Sequence, residues 1–202
     1  MTTTLDVVNE CLGTMGEAPL NTLVEPHEFR GAALRKLAEA NTRLQARGWW
    51  FNRESLTLTP APVTGHAVLG TDILKWQSGA RSPDMLQRAQ PKPWLVQRGT
   101  RLYDTRTGTY EVTETVTGEV TREIPFDVLP AVMQSYVKAE AVLRFQSNFD
   151  ADNSKRQELM AEWQISRADA IAEDVRQSGV NFLNSNSRLQ RIKNASRQGL
   201  RI

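Results

Sequence analysis

The spacing of apolar residues changes twice along this 202-residue chain, and that change constrains the fold more than any single motif. From Leu5 to Leu44 the apolar side chains recur every three or four positions, as helices with one buried face require. Between Trp49 and about Ile124 the pattern turns to alternation, which suits strands with one face covered. From Asp127 the helical spacing returns. Such a chain is expected to be an α+β protein: a bundle of four helices, with a β-rich insertion between the second and third.

The first helix is expected over Thr4 to Met15. Thr3 followed by Asp6 makes a capping box, and Leu5, Val8, Leu12 and Met15 lie along one side. Gly16 and Pro19 break "GEAPLNTL" into turns. A second helix is expected from Pro26, a residue suited to a first turn, to about Arg47. Its apolar stripe is Phe29, Ala33, Leu37, Ala40 and Leu44, and Gly48 supplies the C-terminal cap.

In the insertion, "ESLTLTP" alternates and "PWLVQRGTRLYD" predicts a hairpin turning at Arg98-Gly99. "TYEVTETVTGEVTREI" predicts a second hairpin about Thr117-Gly118. The insertion also carries most of the prolines, in keeping with short strands and loops. Residues 78–93 have no period and receive no assignment. The third helix is expected from Asp127 to about Phe149, with Val132, Tyr136, Ala139 and Leu143 on one face and Met133 and Val137 beside it. The fourth follows "DADNS", with Leu159, Trp163, Ala170, Ile171 and Val175 inward, and "SGVNFLNSNS" ends it. The expected organisation is a discontinuous helical bundle over 1–48 and 126–180, the insertion over 49–125, and a C-terminal arm over 181–202.

Charge matters in its distribution. The formal net charge is only +2, so the whole molecule selects no partner. Beyond Asp174, however, acidic residues are absent, while Arg176, Arg188, Arg191, Lys193, Arg197 and Arg201 are basic. A cationic arm of this kind suits nucleic-acid phosphates or an acidic protein surface, or is simply a solvated terminus. Aromatic residues are lacking in it beyond Phe182, which weakens a base-stacking role. The single cysteine, Cys11, excludes an intramolecular disulfide. "MTTTLDVVNE" has no secretory pattern, and no run of about 18 apolar residues predicts a membrane span.

Catalytic patterns are sparse. His27 and His66 fall in different segments, and no nucleophile elbow, phosphate loop or zinc-binding helix motif occurs. Asp150, Asp152 and Ser154 begin like a calcium loop, but Lys155 stands where the tight turn needs glycine and Ala161 where the bidentate glutamate belongs. The two aspartates read instead as caps for the fourth helix. Glu111, Glu114, Glu119 and Glu123 offer carboxylates for glycoside hydrolysis, or are solvent-facing strand residues. No metal or cofactor is expected. The aromatic run in "LQARGWWFN" admits three readings: a core seam, a nucleic-acid stacking platform, or a contact with another chain.

"GEAPLNTL", the helix leading into "LQARGWWFN", the hairpin "VQRGTRLYD" and the helix "VMQSYVKAEAVLRFQSNF" occur in that order. As an ordered set over about Val8 to Phe149 they resemble the tail tubular protein A family, the head-to-tail adaptors of short-tailed phages of the T-seven-like kind. The resemblance implies a virion tail protein without a catalytic site, assembled in the host cytoplasm. It implies a ring of twelve copies between the portal and the nozzle, tail tubular protein B, with tail fibres attached near the lower junction. Transiting DNA would pass through the lumen without sequence recognition. On this reading Trp49 and Phe51 pack where the bundle meets the insertion, and Trp50 covers the other face or meets a neighbouring subunit. Arg188, Leu189, Arg191, Ile192, Lys193, Arg197 and Arg201 become candidates for portal docking. Two other classes fit the same residues: a tail-associated cell-envelope polysaccharide hydrolase using the glutamate-rich segment, and a DNA-binding protein using the arm.

Overall fold

The computed structural model of the protein describes residues 2–79, 94–150 and 152–178. Helix α1 spans Thr4–Thr14 and begins with the expected capping box: Asp6 N–H donates to Thr3 Oγ1 at 3.2 Å, and Thr3 N–H donates to the Asp6 carboxylate at 2.8 Å. Asp127, distant in sequence, also accepts the Thr4 N–H at 2.8 Å, so the helix start is tied to the chain entering the third helix. Val7, Val8, Cys11 and Leu12 are buried, a broader arc than one stripe, while Leu5 and Met15 lie half-buried at its margin.

Helix α2 spans Arg30–Gln45 and therefore starts one turn later than Pro26. The intervening backbone is held in turns by side chains that compete with a helix. The Arg30 guanidinium donates to the carbonyls of Leu23 (3.0 Å) and Glu25 (2.8 Å), and Phe29 N–H donates to His27 Nδ1 at 3.2 Å. Ala33, Leu37, Ala40 and Leu44 are buried as expected, joined by Asn41 and Gln45. Gly48 ends the turn with φ +80°, a conformation that favours glycine.

Strands β1 (Arg53–Leu58), β2 (Ile73–Ser78) and β5 (Val116–Arg122) form an antiparallel sheet ordered β1-β5-β2. Strands β3 (Leu95–Arg98) and β4 (Arg101–Asp104) form the expected hairpin, but it turns at Gly99-Thr100, one residue later than expected, because Arg98 pairs with Arg101. The second hairpin does not form. Gly118 lies inside β5, opposite Leu56 on one side and Ser78 on the other. Its role is close approach, not turning: a Cβ there would stand 2.5 Å from the Trp76 ring and 2.7 Å from the Gln77 carbonyl oxygen. Gly118→Ala is accordingly expected to destabilise the fold by about 1–3 kcal/mol through overpacking, read by urea unfolding. An unchanged midpoint would show that the indole moves aside freely.

The two faces of this sheet differ. Leu56, Leu58, Trp76, Val116 and Val120 join Ala67, Leu69, Ile73, Leu95, Leu102 and Val112 in one apolar cluster. The alternate residues of the same strands are polar.

Helix α3 spans Ala131–Phe149 and starts later than Asp127, because Phe126–Val128 makes a 3-10 turn and Pro130 opens the helix proper. It packs against α1, α2 and the last helix, α4 (Asn153–Gln177). With three neighbours, its buried surface nearly encircles it: Met133, Gln134, Tyr136, Val137, Ala139 through Val142, Phe145 and Gln146. Val132 and Leu143, expected at the centre of one face, are only half-buried. The Asp152 carboxylate caps α4, accepting the N–H groups of Ser154 (2.8 Å) and Lys155 (3.3 Å). Only Ser166 and Ala170 of α4 are buried. Leu159, Trp163 and Ile171 pack part-way onto the helical core, but Val175, expected inward, is 53% exposed. The four helices and small antiparallel sheets make an α+β fold.

Candidate functional site

Most of the residues that chemistry would need lie apart; of the candidate glutamates, Glu111 and Glu114 share a cleft. His27 lies in the turn ahead of α2, its Nε2 3.8 Å from Glu17, whereas His66 packs against Tyr110 in the insertion. Glu111 bridges to His66, Glu119 sits on the polar face of β5, and Glu123 accepts a 2.5 Å hydrogen bond from the Thr42 hydroxyl of α2. Glu114 lies beside Asp104 and Arg106 in a small cleft that Glu111 also lines. Asp150 accepts the Asp152 N–H at 3.1 Å, an arrangement of helix entry. Burial pushes the Cys11 thiol up to about 12, so it stays protonated at neutral pH. Among the described residues no group of three or more His, Cys, Asp and Glu side chains is placed to hold a metal.

What the structure does concentrate is side chains that fix one part of the molecule to another. Trp49 is 1% exposed. Its indole N–H donates to the Leu44 carbonyl at 2.7 Å, its ring meets Tyr136 edge-on at 6.2 Å, and the Arg47 guanidinium stands 5.0 Å from the ring centre. Trp50 and Phe51 are half-buried, stand edge-to-face at 5.1 Å, and pack against the same helical core. The Trp50 backbone N–H donates to the Asp174 carboxylate of α4 at 2.9 Å. The three aromatics thus gather on the helical side of the junction and close it over α3 and α4.

The contact between helices and sheet is polar. Asn41, Gln45 and Asn52 are buried, at 7%, 0% and 0% exposure. The Gln45 amide pairs with the Ile124 backbone as a neighbouring strand would: Nε2 donates to the carbonyl at 2.7 Å, and Oε1 accepts the N–H at 2.8 Å. Asn52 donates to the Arg122 carbonyl at 2.8 Å and accepts the Trp49 N–H at 2.8 Å. Asn41 donates to the Ile124 carbonyl at 3.1 Å. These carboxamides satisfy the backbone of β5 where it leaves the sheet. Sequence reasoning missed them, since Asn and Gln normally denote a solvated face. The available sign was spacing: Asn41 and Gln45 share the side of α2 that carries Leu37 and Leu44.

A second polar fixture holds the last two helices. Glu140 of α3 is 3% exposed, pairs with Arg43 of α2 and Arg144 of α3, and accepts the Trp163 indole N–H of α4 at 2.5 Å. The candidate docking residues Arg188, Leu189, Arg191, Ile192, Lys193, Arg197 and Arg201 lie outside the described residues. So do residues 80–93 of the stretch left unassigned over 78–93, whose Ser78 ends β2.

The described residues thus form an α+β scaffold whose buried polar groups join helices to sheet and whose helix α4 is half uncovered. The chain matches the family described as Tail tubular protein over residues 5–180 and belongs to it. It is a structural protein of the phage tail, a component of the virion. No curated protein matches the chain.

Proposed function

We propose that this protein is the A-type tail tubular protein: a ring-forming adaptor that joins the portal above to the nozzle below and forms part of the DNA ejection channel. The observation that carries this reading is the family match over residues 5–180, which takes in the four helices and five strands of the described residues but for Thr4. The ordered motifs from "GEAPLNTL" to "VLRFQSNF" support the A type within that family. In a ring, lateral packing would cover apolar side chains that α4 leaves uncovered, Met160, Ile165 and Val175 at 42%, 64% and 53% exposure. In the assembled tail, twelve copies stand side by side, the nozzle protein and tail fibres meet the lower rim, and DNA passes without sequence recognition. No helix among the described residues is long and apolar enough to cross a membrane.

In this reading the basic arm grips the portal. Leu189 and Ile192 are three positions apart, so a short helix would present both to one groove while Arg188, Arg191 and Lys193 meet carboxylates at its rim. Arg197 and Arg201 continue the cationic side. Deleting Ser187–Ile202 is expected to leave the melting temperature nearly unchanged and to abolish co-sedimentation with the portal. A truncated chain that still sediments with the portal at full yield would refute the docking arm.

A further inference from the structure

The polar face of the three-stranded sheet carries a cluster of cations that the adaptor reading does not use. Arg53 of β1 and Lys75 of β2 both stand opposite Thr121 of the central strand β5. Two strand spacings separate them, about 10 Å, a gap that two long side chains can close on one ligand. Arg47, just beyond α2, lines the same cleft from the helical side, its guanidinium also standing 5.0 Å from the Trp49 ring centre. Together with Glu119 and Gln77 these residues surround a polar cleft of about 200 Å³. Three cations face one carboxylate there. Among the described residues Arg47, Arg53 and Lys75 form no ion pair, whereas the neighbouring Arg122, on the other face of the sheet, is bound by both Glu54 and Asp72.

The floor of the cleft is kept open. Gly48 lines it, and a Cβ there would lie 3.2 Å from Thr121 Oγ1 and 3.3 Å from Arg53 Cδ. We infer that this cleft is an oxyanion site for the phosphate group of a phosphate ester. Phosphate offers several acceptor oxygens to two guanidinium forks and an ammonium, and its charge offsets the local excess. The Thr121 hydroxyl and the Gln77 amide complete the donor set. The ester is either a nucleic-acid backbone or a free phosphorylated compound, and the site functions in the single chain, independently of any ring.

Titrating the full-length protein with inorganic phosphate at fixed ionic strength, followed by amide NMR, is expected to give saturable shifts at Gly48, Lys75 and Thr121. Lys75 is exposed, so Lys75→Gln should keep the melting temperature while weakening phosphate binding about tenfold. A short DNA duplex distinguishes the two sources. If Lys75→Gln also weakens duplex binding and lowers its salt slope by about 1, the backbone supplies the phosphate. If duplex binding is untouched while phosphate binding falls, a free phosphate compound is the ligand. A protein without the phosphate response, a response unchanged in Lys75→Gln, or stronger competition by a polyglutamate peptide would overturn the site.

Discussion

Trp49→Ala is expected to destabilise the protein by about 3–5 kcal/mol, the usual cost of truncating a fully buried large aromatic. The indole has little freedom to be replaced. It is 1% exposed, its N–H saturates the Leu44 carbonyl where α2 ends, and its edge fills the space beside Tyr136. Alanine would leave a cavity in the helical core and free a buried carbonyl at the same time. Equilibrium urea unfolding measures the loss. A midpoint unchanged within error would place Trp49 outside the core and return the aromatic run to an exposed contact role.

Gln45→Leu is expected to cost about 3 kcal/mol although it exchanges a polar side chain for an apolar one of similar size. The Gln45 side chain supplies both the acceptor for the Ile124 N–H and a donor for the Ile124 carbonyl. Leucine satisfies neither, and Gln45 is fully buried, so water cannot replace it easily. The damage would fall where helices and sheet are joined. The expected signature is a lower unfolding midpoint with the tryptophan and far-ultraviolet signals no longer coincident. A variant as stable as the parent would show that burial of the apolar clusters alone holds the sheet on the helices.

Helix α1 was readable because its capping box and burial are local, set by Thr3, Asp6 and their neighbours. The β3–β4 hairpin was readable because Gly99 and the alternation around it specify a turn. Gly118 misled for a physical reason: glycine serves tight turns and close packing alike, and only the position of Trp76 distinguishes them. The later start of α2 depends on Arg30 reaching back to Leu23 and Glu25, a contact that periodicity does not encode. The faces of α3 blurred because neighbours cover it on three sides, so no single stripe dominates.

The candidate site was less legible than the fold. The aromatics announced themselves, whereas Asn41, Gln45 and Asn52 carry the helix–sheet contact with side chains that look solvent-bound in sequence. Glu140 was hidden likewise, since its partners Arg43 and Trp163 come from other helices. Tertiary context, not local preference, buries each of them.

Whether the chain closes into a ring on the portal, as proposed, is decided by negative-stain microscopy of the full-length protein mixed with its portal. The expected images are portal particles bearing an added ring on the nozzle-facing side, whose end-on class averages show twelvefold symmetry. Portal particles left bare at saturating protein, or decorated by scattered single copies without rotational order, would contradict it.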